Sequence, residues 1–545
     1  MSFSGERHSS QKILSSLNLE LKNRLIRLAG LDENNKLSPI DSIAVAVLLE
    51  GGGSILKSPK VVREILCELP NLELRELSNK HCQKVYEKPF DNAIALSNLN
   101  EAKLRVILRA VLDRQSTSLL KGMGIDVGES TAETVYSAAT AKKLLPHQEM
   151  VMRSAIELVK SGGNFLIQMP TGAGKTTTAI VTLILSKLVQ HMIADGKLGF
   201  WVAPTRELVE QAATAFKSLW SYYGDSVVRM YVVGQFNESD FPPDGTIVFT
   251  TYHQIAALET SGKIESYQKR CSFLIADEAH RSIAPTYRSS ISLLTEGAVR
   301  IGLTATPGRT ANLSKENLGL STFFDSRIVR ATDSKNEIYD LQENEVLSQI
   351  EHTIIQIKSS GLISQRIVKS NVSSLSSVES SLEKNELKTL RELALNDGRN
   401  AIILETIQDR VASGHRVIFF GCGVDHSRLL SAALIAKGIP AASIDASTST
   451  SVRDTVIQRY KDGKIRVIGN FSVLTTGFDA PGTDVVLITR PTSSIVSYSQ
   501  MVGRALRGPK MGGQKTAEVI EFSDAIDLSI CSAEIYEFFD SYWHS

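Results

Sequence analysis

The chain has 545 residues, 42% of them hydrophobic and 22% charged, and its 60 Lys and Arg nearly cancel its 59 Asp and Glu, leaving a formal net charge of +1. Such a length exceeds one hydrophobic core and asks for three or four units, while the composition excludes disordered and collagen-like classes. Near-neutrality also excludes a globally basic surface, so a nucleic-acid partner would have to be met in a local groove.

Residues 11 to 113 read as mostly helical. Ile13, Leu14, Leu17, Leu21, Leu25 and Leu28 recur at helical spacing, as do Val61, Ile65 and Leu69, with turns at Pro39, GGGS (51 to 54), Pro59, Pro70 and Pro89. Taking 1–113 as a helical amino-terminal module, the Ser, Thr, Gly and Ala of 114–140 read as a linker. From residue 141 the rhythm changes. FLIQM, GFWVA, TIVFT, FLIAD and RIGLT are short β-branched or aromatic runs, each followed by turn residues, which is the pattern of a parallel sheet covered by helices. The pattern weakens over 311–395, a connector with a Ser-rich stretch, and resumes over 396–530 with RVIFF, AASID, IRVIG, VVLIT and AEVIEF; 531–545 is a tail. The fold class expected is therefore α/β, with two tandem units of parallel sheet carrying helices on both faces behind a helical module.

The five cysteines, Cys67, Cys82, Cys271, Cys422 and Cys531, are scattered and form no C-x-x-C pair. That points to a reducing compartment and no zinc, with His81 beside Cys82 an incidental neighbour. The polar start MSFSGERHSS has no apolar core of a signal peptide, and no apolar run reaches a membrane span. A cytoplasmic protein without a membrane partner is the expectation.

The most informative stretch is FLIQMPTGAGKTTTAIVTLIL, residues 165 to 185. An apolar strand runs into the loop Pro170, Thr171, Gly172, Ala173, Gly174, and Lys175 opens a helix with Thr176 and Thr177. Free N–H groups and the helix dipole make such a nest a phosphate site; Lys175 neutralises phosphate oxygens and the Thr176 hydroxyl is placed to ligate Mg²⁺. Met169 stands where the strict phosphate-loop pattern has its first glycine. About a hundred residues on, FLIADEAH ends a second apolar strand in two carboxylates. Asp277 suits Mg²⁺ and Glu278 suits orientation and deprotonation of the attacking water.

These two motifs come in order with LLPHQ (144 to 148), APTREL (203 to 208), TTYHQI (250 to 255), TATPGR (304 to 309), VIFFGCGVDH (417 to 426), VLTTGFDAPGTD (473 to 484) and QMVGRALR (500 to 507). The series resembles the superfamily 2 helicases and translocases over roughly residues 141 to 525. That resemblance implies two RecA-like domains with ATP and Mg²⁺ in the cleft between them and a nucleic-acid strand across their tops. It implies adenine recognition by Gln148, phosphate and metal binding by Lys175, Thr176 and Asp277, and catalysis by Glu278. Thr304 and Thr306 would couple nucleotide state to strand grip, Gly477 and Asp479 would lie near the ribose, and Gln500, Arg504 and Arg507 would face the γ-phosphate. Thr205, Arg206, Thr250, Thr251 and Thr475 are the candidates for backbone contacts with nucleic acid, ordinary helix capping being the competing reading. TTGFDAPGTD with GRALR, and DGRNAIIL (397 to 404), resemble the DNA-directed group of repair helicases and restriction-enzyme motor subunits, which favours DNA over RNA. A DNA helicase or translocase in repair or anti-phage defence is the reading. An RNA helicase, or a nucleotide-dependent clamp with little turnover, is the alternative, and residues 1–140 are a candidate seat for a protein partner.

Overall fold

The computed structural model describes residues 19–29, 62–63, 66, 71–99, 103–104, 132–135, 143–233, 242–307, 315–332, 337–357, 363–367, 386–448, 450–471, 482–491 and 495–523. Two sheets organise it. The first contains β1 (Ala132–Val135), β2 (Phe165–Gln168), β3 (Leu198–Ala203), β4 (Val228–Val232), β5 (Thr246–Thr251), β6 (Cys271–Asp277), β7 (Val299–Thr304) and β8 (Ile328–Val329) in the order β1-β4-β5-β3-β6-β7-β2-β8. The second contains β9 (Gln349–Ile357), β10 (Ile363–Ile367), β11 (Val417–Phe420), β12 (Ala441–Ile444), β13 (Val467–Asn470), β14 (Val485–Ile488) and β15 (Thr516–Ser523) in the order β10-β9-β15-β14-β11-β13-β12. Every pairing is parallel except at one edge of each sheet, β1 on β4 and β10 on β9.

Continuous burial explains why the central strands were legible as unbroken apolar runs. All of β2, β3, β11, β13 and β14 is buried, because helices cover both faces of a parallel sheet. The covering helices include Lys175–Leu185 and Arg206–Tyr223 in the first domain, and Asp397–Ala412 and Val424–Ala436 in the second. Trp220 and Phe216 stack on one face of the helix Arg206–Tyr223, and Phe216 meets Phe249 of β5 edge to face. Among the described residues no single helix is long and apolar enough to cross a membrane.

The expected boundaries shift in two places. Part of the expected linker, residues 132–135, is β1, whose four residues AETV carry too little apolar signal to announce an edge strand. The expected connector is mostly domain. Residues 315–329 supply a helix and β8 to the first sheet, and β9 and β10 open the second. The segment that passes between the two sheets is therefore short, running from about 330 to 348.

The amino-terminal module is helical where described, with Leu19–Ala29, Asn71–Cys82 and Pro89–Ser97. It sits on the second domain. Leu25, Leu28, Val62, Leu66, Leu74, Ala93 and Leu96 share one apolar core with Leu429, Leu430, Ala433 and Ile403. Asp397 accepts from Arg24 Nε at 3.0 Å and from Arg27 Nη2 at 2.6 Å. Burial works upward on the Asp397 carboxyl, but the two guanidiniums outweigh it and hold the pKa below the usual range. Val62 and Leu66 are buried, whereas Val61, Ile65 and Leu69 lie outside the described residues.

Candidate nucleotide site

Sheet order places the chemistry. β7 lies between β6 and β2, so the loop after β2, the carboxylates ending β6 and the threonines ending β7 emerge side by side at one end of the sheet. Gly172 and Gly174 have φ of +93° and +90°, a left-handed backbone that side chains resist, and Gly174 caps the helix Lys175–Leu185. A Cβ at Gly174 would run into Gln148 Nε2, so that glycine leaves room for the glutamine as well as for a phosphate. Gln148 is buried, and its Oε1 accepts the Leu145 N–H at 3.1 Å, closing the first turn of the helix Pro146–Lys160. The preceding His147 docks the same loop, its Nε2 standing 2.9 Å from the Ala173 carbonyl; burial lowers its pKa. The sequence reading passed over His147, although its position beside Gln148 in LLPHQ was the available signal.

The threonine run after Lys175 divides its labour. Thr178 turns inward, with Oγ1 donating to the Gly174 carbonyl at 3.1 Å, whereas Thr176 and Thr177 are half-exposed beside the loop. Lys175 folds back on the loop and donates to the Met169 carbonyl at 3.0 Å. Its pKa is lowered by burial, against the pull of Glu278 and Asp277. The ammonium thus sits where an anion of higher charge can draw it out.

At the end of β6, burial and then the adjacent Glu278 push the Asp277 carboxyl up to about 7. Glu278 has φ +51° and ψ +54°, a strained backbone for a non-glycine residue, and its N–H donates to Asp277 Oδ1 at 3.0 Å. Tyr252 O–H donates to the Asp277 carbonyl at 2.8 Å, tying the helix after β5 to the same corner. His280 Nδ1 stands 3.5 Å from Glu278 Oε2 and 3.4 Å from Thr304 Oγ1. The Thr304 hydroxyl hydrogen goes to the Thr306 carbonyl at 2.7 Å, so the imidazole nitrogen supplies the proton on that contact. One chain of contacts therefore joins the second carboxylate to the threonines of the TAT turn. Both threonines are buried.

The second domain closes over this corner. Gly503 lies against Thr171, where a Cβ would meet the Thr171 Cβ at 2.5 Å, and Arg507 Cγ lies 3.2 Å from where a Gly172 Cβ would be. Gln500 is buried at the end of the helix Ile495–Val502, and its carbonyl accepts Arg504 Nε at 3.1 Å. The Arg504 charge acts on Lys175 across the interface. Arg504 and Arg507 do not continue a helix: the helix stops at Val502, and Arg507 pairs with Leu347 in an isolated antiparallel bridge. Glycine cradles, converging cations and an adjacent pair of carboxylates at the end of β6 fit a polyphosphate with a divalent cation. Lys175, Arg504 and Arg507 would face the phosphates, and Thr176 and Asp277 would hold Mg²⁺, whose charge would favour ionised Asp277.

On the expected strand-binding side, Thr205 and Thr251 are helix N-caps, their hydroxyls accepting from Leu208 N at 3.4 Å and Gln254 N at 3.3 Å. Thr250 is a correction. Its side chain is fully buried within β5, and its hydroxyl makes no hydrogen bond, so it is not on the exposed surface expected for a strand contact. Arg206 is exposed, with Nε donating to Glu210 at 2.8 Å, and the next residue, Glu207, forms an ion pair with Arg453 of the second domain. Thr475, Gly477 and Asp479 lie outside the described residues.

Residues 141–309 match the family model described as type III restriction enzyme, res subunit, and residues 398–509 match the helicase conserved C-terminal domain. Together the matched segments span a little over half of the chain, and they cover both walls of the cleft. The chain is a superfamily 2 helicase. A putative ATP-dependent helicase, IRC3, of Saccharomyces cerevisiae is 24% identical to this helicase over 405 residues, covering 72% of the chain and 53% of the yeast protein. A 51.5 kDa protein of a Lactococcus phage is 23% identical over 362 residues, 65% of each chain. The type ISP restriction-modification enzyme LlaBIII bound to DNA superposes with a TM-score of 0.48 at 17% identity, covering 74% of this helicase and 29% of that enzyme. The helicase thus spans roughly half to two thirds of the length of its curated relatives.

Proposed function

We propose that this helicase hydrolyses ATP with Mg²⁺ between its two RecA-like domains and converts closure of the cleft into movement on DNA. The observation that carries the reading is the seating of Gly503, Arg504 and Arg507 of the second domain against Thr171, Gly172 and Lys175 of the first. Because an arginine arriving across a cleft stabilises transition-state charge, hydrolysis is tied to domain closure. Mg²⁺ supplies charge neutralisation at the phosphates. Lys175 and the loop N–H groups orient them, Glu278 accepts a proton from the attacking water, and His280 carries the state of Glu278 to Thr304. DNA is favoured over RNA by the restriction-enzyme model matched to the first domain and by the TTGFDAPGTD and GRALR segments. The RNA alternative stays open to test, since a pre-mRNA-splicing ATP-dependent RNA helicase of Yarrowia lipolytica is 22% identical over 372 residues. A place in DNA repair or anti-phage defence accords with the same restriction-enzyme model.

Steady-state ATP hydrolysis with no nucleic acid, single-stranded DNA, duplex DNA and single-stranded RNA, for wild type and Glu278→Gln, tests the reading. Strong stimulation by DNA that the substitution abolishes is expected. Stimulation by RNA alone would move the protein to the RNA branch, and absence of any stimulated turnover would leave a nucleotide-dependent clamp.

A further inference from the structure

Between β8 and β9 the chain makes its short passage from the first domain to the second, and both ends of that passage are bonded to the nucleotide site. At its start, Glu337 is buried to 5% exposure under the phosphate loop. Its two carboxylate oxygens accept from Ala331 N at 3.0 Å and from Gln168 Nε2 at 3.3 Å, and Arg330 Nε donates to Gln168 Oε1 at 3.2 Å. Gln168 is the last residue of β2, two positions before the loop begins at Pro170. Glu337 is also close enough for its charge to be felt by Lys175. A helix, Glu337–Glu343, then carries the chain to a second anchorage.

That second anchorage is the backbone of Arg507 itself. Ser348 is fully buried, and its hydroxyl donates to the Arg507 carbonyl at 2.6 Å and, sharing the same hydrogen, lies 2.8 Å from the Gln514 carbonyl. Ser348 N–H donates to the Leu506 carbonyl at 2.9 Å, Gly508 N–H donates to the Val346 carbonyl at 2.9 Å, and Gln342 Nε2 holds the Ser348 carbonyl at 2.8 Å. Gly508 has no room for a Cβ against the carbonyls of Glu345 and Leu347, which shows how closely the two strands of backbone approach. Residues 337 to 348 thus touch β2 with one end and the arginine turn with the other.

We propose that Glu337 to Ser348 is a strut that sets where Arg507 stands over the phosphate loop, with Glu337 and Ser348 as its positioning residues. The proposal rests on the ATP-site reading for its effect on rate, but not for its geometry. A strut of this kind explains why a chain would bury a carboxylate beneath a loop meant for anions: Glu337 belongs to the domain connection and tethers it by way of Gln168. It also gives the cleft a fixed closed position, since the arginine turn hangs from a segment that is itself bonded to β2, the strand that leads into the phosphate loop before Lys175.

The test compares wild type with Ser348→Ala and, at the other end, Glu337→Gln. Three readouts are taken: nucleic-acid-stimulated kcat and KM for ATP, affinity for ADP alone against ADP with aluminium fluoride, and amide exchange at Gly508 and Gly513. A lost strut lowers kcat about 10- to 100-fold, in line with a misplacement of about 1 Å or less. KM and ADP affinity stay within about twofold, the preference for the aluminium fluoride complex shrinks, and both glycine amides exchange faster. A residue that merely supports the fold would lower the thermal midpoint and the fraction of sites binding ADP while leaving kcat per binding site and the fluoride preference unchanged, and that result overturns the proposal. If wild type turns over no ATP with any nucleic acid, the motor reading falls separately, and exchange decides the strut: unchanged protection at Gly508 and Gly513 in Ser348→Ala overturns it. Should Ser348→Ala not fold, Glu337→Gln carries the same comparisons.

Discussion

Replacing Gly503 with alanine would wedge the cleft open at the point where the two domains touch the phosphate loop. The added Cβ would stand 2.5 Å from the Thr171 Cβ and 2.9 Å from the Ser499 carbonyl oxygen. Carbon atoms pack at about 3.5 to 4.0 Å, so about 1 Å of separation is needed. The Thr171 Cβ is fixed to the loop backbone and cannot rotate away, which leaves rigid-body displacement of the second domain as the relief. A shift of about 1 Å at a reacting site costs about 100-fold in rate, and complete loss of a transferred arginine costs about 10³ to 10⁵. Gly503→Ala is therefore expected to lower stimulated kcat by about 100-fold with ADP affinity nearly unchanged, because Lys175 and the loop remain as they were. Overpacking of about 1 to 3 kcal/mol would be largely relieved by opening, so the thermal midpoint should fall by only a few degrees. Stopped-flow nucleotide binding, phosphate release and differential scanning calorimetry measure these quantities. Wild-type kcat in the alanine variant would refute the assignment of this contact to the hydrolysing state.

Three further outcomes follow from particular contacts. Arg507→Lys, which keeps the charge but loses the planar fork, should lower stimulated kcat by about 10³ while ADP affinity stays within a few-fold, as steady-state kinetics and fluorescent-ADP titration would show. His426 is buried and neutral, donating from Nε2 to Asn400 Oδ1 at 2.8 Å and accepting Cys422 N–H at Nδ1, and burial lowers its pKa to about 3. The unfolded chain takes up that proton near pH 6.5 and the folded one does not, so this contribution to stability is complete above pH 6.5 and is lost as pH falls toward 3, at up to about 1.4 kcal/mol per pH unit. Urea unfolding of wild type and His426→Gln between pH 7 and 5 should show the steeper acid loss in wild type; parallel curves would count against the assignment. Asp397→Ala leaves Arg24, which is nearly buried, without its carboxylate, and should release the amino-terminal module to limited proteolysis while basal ATP hydrolysis persists.

How much the sequence disclosed depended on whether a residue's task was local. The loop after β2 and the carboxylates after β6 are short segments whose chemistry lies in consecutive residues, and they were readable at once. Strands at or next to the sheet edges were not. β4, β9 and β10 alternate exposure or carry polar residues, so no unbroken apolar run marks them, and 311–395 reads as a connector in consequence. Thr250 and Thr251 look equivalent in the chain, yet alternation along β5 turns one hydroxyl into the core and leaves the other to cap a helix. Ser348, Glu337 and Gly503 act by touching residues 159, 169 and 332 positions away, and a single sequence holds no trace of such pairings.

The docking of the amino-terminal helices on Asp397–Ala412 and Val424–Ala436 has a mechanical corollary. The module and the second domain are one passenger unit, and between Leu104 and Ala132 the chain returns to the first domain through enough residues to span up to about 90 Å. Residues 337–348, by contrast, are bonded to both domains. On the motor reading proposed above, anything gripped by the module would travel with the second domain, and a dye placed on it would trace that domain's movement from a site remote from the nucleotide.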